Sequence, residues 1–109
     1  MEKINFIFWG TPDVASETLA ILKVAGYIPS LIITAPDRPQ GRKMLLTPPP
    51  VKIWAEENNI PYIQPENLDD LENKITDILF DLSIVVAYGK IIPENILKMP
   101  RLGSVNIHH

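Results

Sequence analysis

The chain contains no cysteine. Disulfides and thiolate metal sites are therefore excluded, and a reducing cytoplasm fits. No apolar run reaches the roughly 18 residues a membrane span needs, so no membrane partner is expected. The start, Met1-Glu2-Lys3 running directly into INFIF, leaves no room for a charged leader region and a cleavage site. Cytoplasmic localisation is the expectation. Two phosphate-loop signatures are missing as well: there is no G-x-G-x-x-G and no G-K-[ST]. No Ser or Cys nucleophile stands beside a visible partner, which disfavours a covalent enzyme intermediate. There is no internal repeat and no sign of a domain boundary.

What is present suits one small packed domain. Hydrophobic residues make up 46% of the 109 positions, enough for a core. Net charge is −3, which alone predicts no nucleic-acid partner. The charge is uneven, however. Residues 36–52 carry Arg38, Arg42, Lys43 and Lys52 against Asp37, a net +3, so the remainder nets −6. A basic island of this kind is a solvated loop or a contact for phosphates.

Strand and helix signals alternate along the chain. INFIFWG (4–10) reads as a buried strand ending at Gly10. Thr11 is placed to cap a helix with Pro12 in its first turn, and Ala15, Leu19, Leu22 and Ala25 recur at helical spacing before Gly26 stops it. A second strand runs from about Ile28 to Ala35. The Pro-rich stretch 36–50 is too long for a routine connection, and such loops are functional or mobile. VKIWAEENN (51–59) reads as a short helix and IPYIQ (60–64) as a third strand. Residues 69–80 read as a helix with Leu71, Ile75, Ile78 and Leu79 on one face. SIVVAYG (83–89) is the fourth strand, Pro93 to Lys98 a short helix, and SVNIH (104–108) the fifth strand. The alternation predicts an α/β fold: a Rossmann-like, doubly wound parallel sheet of five strands in the order 3-2-1-4-5. Ligands of such sheets bind beyond the carboxyl ends of the strands, where the winding reverses. Gly10-Thr11, Tyr88-Gly89 and Asn106 to His108 all fall at those ends.

Asn106 and His108, two apart on a strand, share a face. An amide beside an imidazole suits acyl transfer, one donating to an oxyanion and the other moving a proton near neutral pH. A purely structural strand end has the same pattern. YGKIIP (88–93) places backbone N–H and C=O groups after a central strand, where they can pair with a flat, polar-edged heterocycle under Ile91 and Ile92, or form an ordinary turn. Trp9 and Trp54 read as core residues. No role is argued for His109.

Taken together, FWGTPDVASETLAIL, TAPDRPQGRKMLLTPPPVKIWAEENNIP, QPENL and VVAYGKIIPENILKMPRLGSVNIH resemble the methionyl-tRNA formyltransferase family, from about Phe6 to His108. Folate-dependent formyltransferases in general share the turn after strand 4 and the Asn-x-His strand. The PDRPQGR…LTPPPVK loop resembles the transfer-RNA enzymes in particular. The resemblance implies transfer of a formyl group from 10-formyltetrahydrofolate, as co-substrate and without a metal, to the α-amine of initiator methionyl-tRNA. It implies catalytic roles for Asn106 (oxyanion) and His108 (proton transfer), and a folate site at the turn Tyr88, Gly89, Lys90, Ile91 and Ile92, using mainly backbone groups. It assigns Arg42 to the acceptor stem, with Arg38, Lys43 and Lys52 adding phosphate attraction that falls with salt. In the family, Asn-x-His is followed by Ser-Leu-Leu-Pro, an Arg-Gly segment, a catalytic aspartate and a C-terminal β-barrel domain, none of them within these residues. The expectation is therefore the N-terminal portion of a catalytic domain, inactive by itself; turnover by the purified 109 residues would overturn this. A different folate-dependent formyltransferase, a formyl hydrolase and a non-catalytic folate- or nucleotide-binding module are the alternatives.

Overall fold

In the computed structural model, which describes residues 3–108, the strand Phe6–Gly10 (β1) forms the centre of the molecule. All five of its residues are buried, and its side chains alternate between two separate cores. Phe6 and Phe8 point into one, Ile7 and Trp9 into the other. Period-two alternation on a strand covered from both sides leaves no room for a polar face. Full burial of each large side chain contributes roughly 1.5–3 kcal/mol, which is why this strand anchors the sheet.

The remaining strands of the main sheet are Leu31–Ile33 (β2), Tyr62–Ile63 (β5), Leu82–Val86 (β6) and Ser104–Asn106 (β7). Their spatial order is β5-β2-β1-β6-β7, all parallel. This is the predicted 3-2-1-4-5 arrangement in a Rossmann-like α/β fold. Helices Asp13–Val24 (α1) and Pro50–Glu57 (α2) contribute Ala15, Leu19, Val51 and Ala55 to the core around Phe8. Helices Leu71–Ile75 (α3) and Glu94–Leu97 (α4) contribute Leu71, Ile75 and Ile96 to the core around Trp9. The two halves of the chain thus wind onto opposite faces, and the reversal falls between β1 and β6. Trp9 is fully buried and Trp54 packs at the edge of the Phe8 core.

Local chemistry explains the C-terminal ends of α1 and α2. Gly26, at φ +93°, ends α1: its N–H donates to Lys23 O at 2.9 Å and that of Tyr27 to Leu22 O at 2.8 Å, the Schellman pattern. Asn59, at φ +55°, closes α2 the same way, the Ile60 N–H donating to Ala55 O at 2.9 Å. The start of α1 differs from expectation. Pro12, not Thr11, occupies the cap position, and no side chain caps the helix. The Thr11 hydroxyl is engaged elsewhere, as described below.

Two further departures are informative. Helix α3 is a single turn rather than the span 69–80, and Leu79 is exposed. After Ile75 the chain tightens, with the Ile78 N–H donating to Ile75 O at 3.0 Å and the Thr76 hydroxyl donating back to Glu72 O at 2.7 Å. The Pro-rich segment is not a structureless loop. Arg38–Gln40 (β3) and Leu45–Thr47 (β4) pair as an antiparallel ribbon outside the main sheet. Arg-Pro-Gln carries no strand signal, so this ribbon is set by its Gly41 turn and not by propensity. His109 and the first two residues lie outside the described residues.

Gly10 sits where β1 hands over to α1. A Cβ there would lie 2.6 Å from Ala15 Cβ and 2.8 Å from both Phe8 Cε1 and Val86 O. The close approach of helix, strand and neighbouring strand at the carboxyl end of β1 therefore requires glycine.

Candidate functional site

The carboxyl ends of the strands open into two main cavities. The first, about 490 Å³, is lined by Val14, Val85, residues Ala87 to Ile91, Asn106, Ile107 and His108. The second, about 460 Å³, lies between Thr11, Pro36, Arg38, Gln40, Thr47 and the Pro48-Pro49-Pro50 wall that begins α2.

Strand pairing carries Asn106 into the first cavity. Asn106 is in register with Val85, and the Ile107 N–H donates to Val85 O at 2.8 Å, which fixes the chain just before His108. Asn106 and His108 are both exposed, and neither side chain bonds another described residue. Both line the same cavity as the turn after β6.

That turn is unusual. Ala87, a non-glycine residue, sits at φ +51° and Gly89 at φ +97°, with Tyr88 between them. Backbone in the left-handed region costs about 1 kcal/mol or more for a residue with a Cβ, and persists only where surroundings enforce it. The enforcement comes from both sides of Tyr88. Its ring is buried edge-on against Trp9, centroids 5.4 Å apart at 80°. Its carbonyl accepts the Thr11 hydroxyl at 2.8 Å. The N–H groups of Gly89, Lys90 and Ile91 donate to no other described residue, and all three residues line the cavity. The Ile91 side chain is 94% exposed beside them.

The five predicted turn residues therefore divide. Gly89 and Ile91 face the cavity. Lys90 lines it but turns its ammonium onto Pro65 O at 3.2 Å and Glu66 O at 2.7 Å. The Tyr88 ring belongs to the core, where burial alone pushes its hydroxyl up to about 12. Ile92 is buried in the same core and lines the adjoining cavity beside Leu97 and Ser104.

Thr11 is the residue whose importance the sequence conceals. Besides donating to Tyr88 O, its hydroxyl accepts the Ala35 N–H at 3.3 Å, and its carbonyl accepts the Val51 N–H at 3.3 Å. One residue ties the ends of β1, β2 and β6 to the start of α2. It stands between the two cavities.

The basic island resolves into distinct parts. Arg42, Lys43 and Met44 lie at the exposed ribbon tip and Arg38 on its exposed first strand. Leu45 and Leu46 are 65% and 70% exposed, so the ribbon is apolar as well as basic. Lys52 is placed apart. From α2 its ammonium reaches both carboxylate oxygens of Asp37 at 3.1 Å, and Gln64 Nε2 donates to Asp37 Oδ1 at 2.7 Å. These donors hold the Asp37 carboxyl below its usual range, the Gln64 bond first, and Asp37 in turn raises Lys52. Among the described residues no three His, Cys, Asp or Glu side chains gather into a metal-binding group.

A strained turn with free amides beside an Asn and a His at a sheet's carboxyl end suits polar recognition and acyl chemistry. The family model described as formyl transferase matches residues 2–109. The chain belongs to the formyl transferase family. Members move a formyl group, generally from a folate-derived donor. In this formyl transferase the first cavity is lined by the backbone of Gly89, Lys90 and Ile91 together with apolar Val14 and Ile107.

Proposed function

We propose that this formyl transferase acts on methionyl initiator tRNA with 10-formyltetrahydrofolate as donor, in the cytoplasm. The observation that carries the reading is the shared cavity: Asn106 and His108 border the same space as the amides of Gly89, Lys90 and Ile91. The donor's ring edge would pair with those amides, which leaves its formyl group toward Asn106. The acceptor amine attacks the formyl carbon and a C–N bond forms. The oxygen of the tetrahedral intermediate takes the negative charge, and the Asn106 amide is suited to donate to it. His108 takes the proton lost by the amine and can return it to the folate nitrogen as the old C–N bond breaks. No enzyme nucleophile is required.

The acceptor assignment draws on the ribbon. Arg38, Arg42 and Lys43 are exposed on a projecting basic and apolar element at the edge of the second cavity, next to the reacting end of the sheet. Phosphate attraction of this kind gives affinity that falls with salt. The test is formylation of methionyl-tRNA by the gene product with 10-formyltetrahydrofolate. Asn106→Ala is expected to lower kcat by about 10²–10³, as removal of one oxyanion donor does elsewhere. Undiminished turnover would remove Asn106 from the chemistry. Formylation of a sugar nucleotide or of water in preference to methionyl-tRNA would refute the acceptor.

A further inference from the structure

We propose that Asp37, Lys52 and Gln64 form a root clamp that sets the direction of the basic ribbon, so that Lys52 is a positioning residue and not a phosphate contact. This rests on the RNA reading above for its consequence, though not for its geometry.

The ribbon leaves the body at two points. Asp37 immediately precedes β3, and β4 runs through Pro48 and Pro49 into α2, which carries Lys52 in its first turn. The Asp37–Lys52 pair therefore closes the segment at its base. Within it, Arg38 faces Thr47, Pro39 faces Leu46 and Gln40 faces Leu45. Prolines at 36, 39, 48, 49 and 50 stiffen both arms. A stiff ribbon behaves as a lever: a small rotation at the root moves Arg42 and Lys43 far at the tip.

The pair is built for rigidity. Lys52 is 18% exposed and Asp37 30%, and both carboxylate oxygens are used. Gln64 donates to Asp37 and to the Ala35 carbonyl at once, at 2.7 and 3.0 Å, which links the root to the chain just after β2. The ammonium also lies 6.0 Å from the Tyr62 ring, and Tyr62 is itself held by Glu56 at 3.0 Å. Asp37 and the Tyr62 ring hold the ammonium directly, and Gln64 and Glu56 fix those two partners in turn. A lysine reserved for phosphate would keep its head in water.

The sign of a charge effect separates the two roles. If Lys52 were a phosphate contact, Asp37→Asn would free it and remove a negative charge, and RNA would bind more tightly. If the pair is a clamp, Asp37→Asn loosens the ribbon and RNA binds more weakly. The experiment measures anisotropy of a fluorescein-labelled RNA hairpin with a single-stranded 3′ end, across a salt series, and the amide spectrum of the same proteins. Asp37→Asn and Lys52→Met are both expected to weaken binding roughly threefold or more, a small-pair effect. Lys52→Met should leave the slope of log K against log salt unchanged. In both variants the amides of Arg38 and of residues 40–47 should shift or broaden while those of Ile7 to Trp9 stay in place. Tighter binding by Asp37→Asn, or a slope lower by about 1 in Lys52→Met, would overturn the proposal. So would ribbon amides that do not respond to Asp37→Asn. If the unaltered protein binds no RNA, the acceptor reading fails and the amide spectra alone decide the clamp.

Discussion

Replacing Thr11 with valine keeps the side-chain shape and removes one oxygen. In the folded protein that oxygen donates to Tyr88 O at 2.8 Å and accepts the Ala35 N–H at 3.3 Å. A hydrogen bond contributes about 0.5–1.5 kcal/mol net, and a buried group stranded without a partner costs about 1–3 kcal/mol. Ala35 and Tyr88 are both buried, whereas Thr11 itself is partly exposed, so water can recover some of the loss. The expected destabilisation is about 1.5–3 kcal/mol, within the range of those two effects combined. Thr11→Ser keeps the hydroxyl and loses one methyl, so about 0.8 kcal/mol or less is expected. Urea unfolding followed by the fluorescence of buried Trp9 gives both values by linear extrapolation, provided the slope m is unchanged. In a thermal melt the valine variant should fall by roughly 4–8 °C for each kcal/mol lost. The same oxygen holds the turn whose amides face the first cavity. Valine, but not serine, should therefore also weaken binding of a folate analogue such as 5-formyltetrahydrofolate. A valine variant within about 0.5 kcal/mol of the parent, less than one net hydrogen bond, would refute the reasoning, as would a serine variant equally damaged.

Gly10→Ala should destabilise by about 1–3 kcal/mol or more, because the new methyl meets the Val86 carbonyl, which cannot move without disturbing the β1–β6 ladder; denaturant midpoints check this. Tyr88→Phe should be nearly neutral or stabilising, within about 1 kcal/mol, since the hydroxyl it removes is buried without a hydrogen-bond partner. Calorimetry decides, and a loss above about 2 kcal/mol would mean the hydroxyl is well bonded. The same burial raises the Tyr88 hydroxyl from 10.0 to about 12, so stability is unaffected by its ionisation below pH 10 and falls as pH rises toward 12, a fall that Tyr88→Phe should remove. Asp81 has the opposite sign. The Asn5 N–H at 3.1 Å and then Arg101 at 3.0 Å hold its carboxyl below the model-peptide value of 3.8. Its contribution is present above that value and lost as the pH falls through the depressed one. Asp81→Asn should therefore flatten the acid limb of a stability–pH curve, and an unchanged limb would remove Asp81 from it.

The sheet was legible in the sequence because its signals are local. The apolar run ending in Gly10, Gly26 after a helical repeat, and VKIWAEENN after the Pro-rich stretch each name an element and place it to within a residue or two. Alternation of such elements leaves few topologies, and the strand order followed from right-handed crossovers. The candidate site was partly legible for the same reason: Asn106, His108 and the 88–92 turn lie at strand ends, and a parallel sheet gathers its strand ends in one place.

What the sequence determined alone is the kind of fold, the positions of its strand ends and the residue types there. What only the tertiary structure decided is which of those groups are free. Thr11 reads as a helix cap but spends its hydroxyl on Tyr88, 77 positions away. Tyr88 and Ile92 belong to a turn read as a ligand site mainly through its backbone, and the fold is what sends their side chains into the Trp9 core. Lys52 reads as one charge of a basic island but is held by Asp37, which Gln64 bonds in turn. Periodicity and propensity act over a few neighbouring residues. Hydrogen bonds and ion pairs between distant segments exist only after the chain has folded, so the commitments of individual polar groups cannot be read in one dimension.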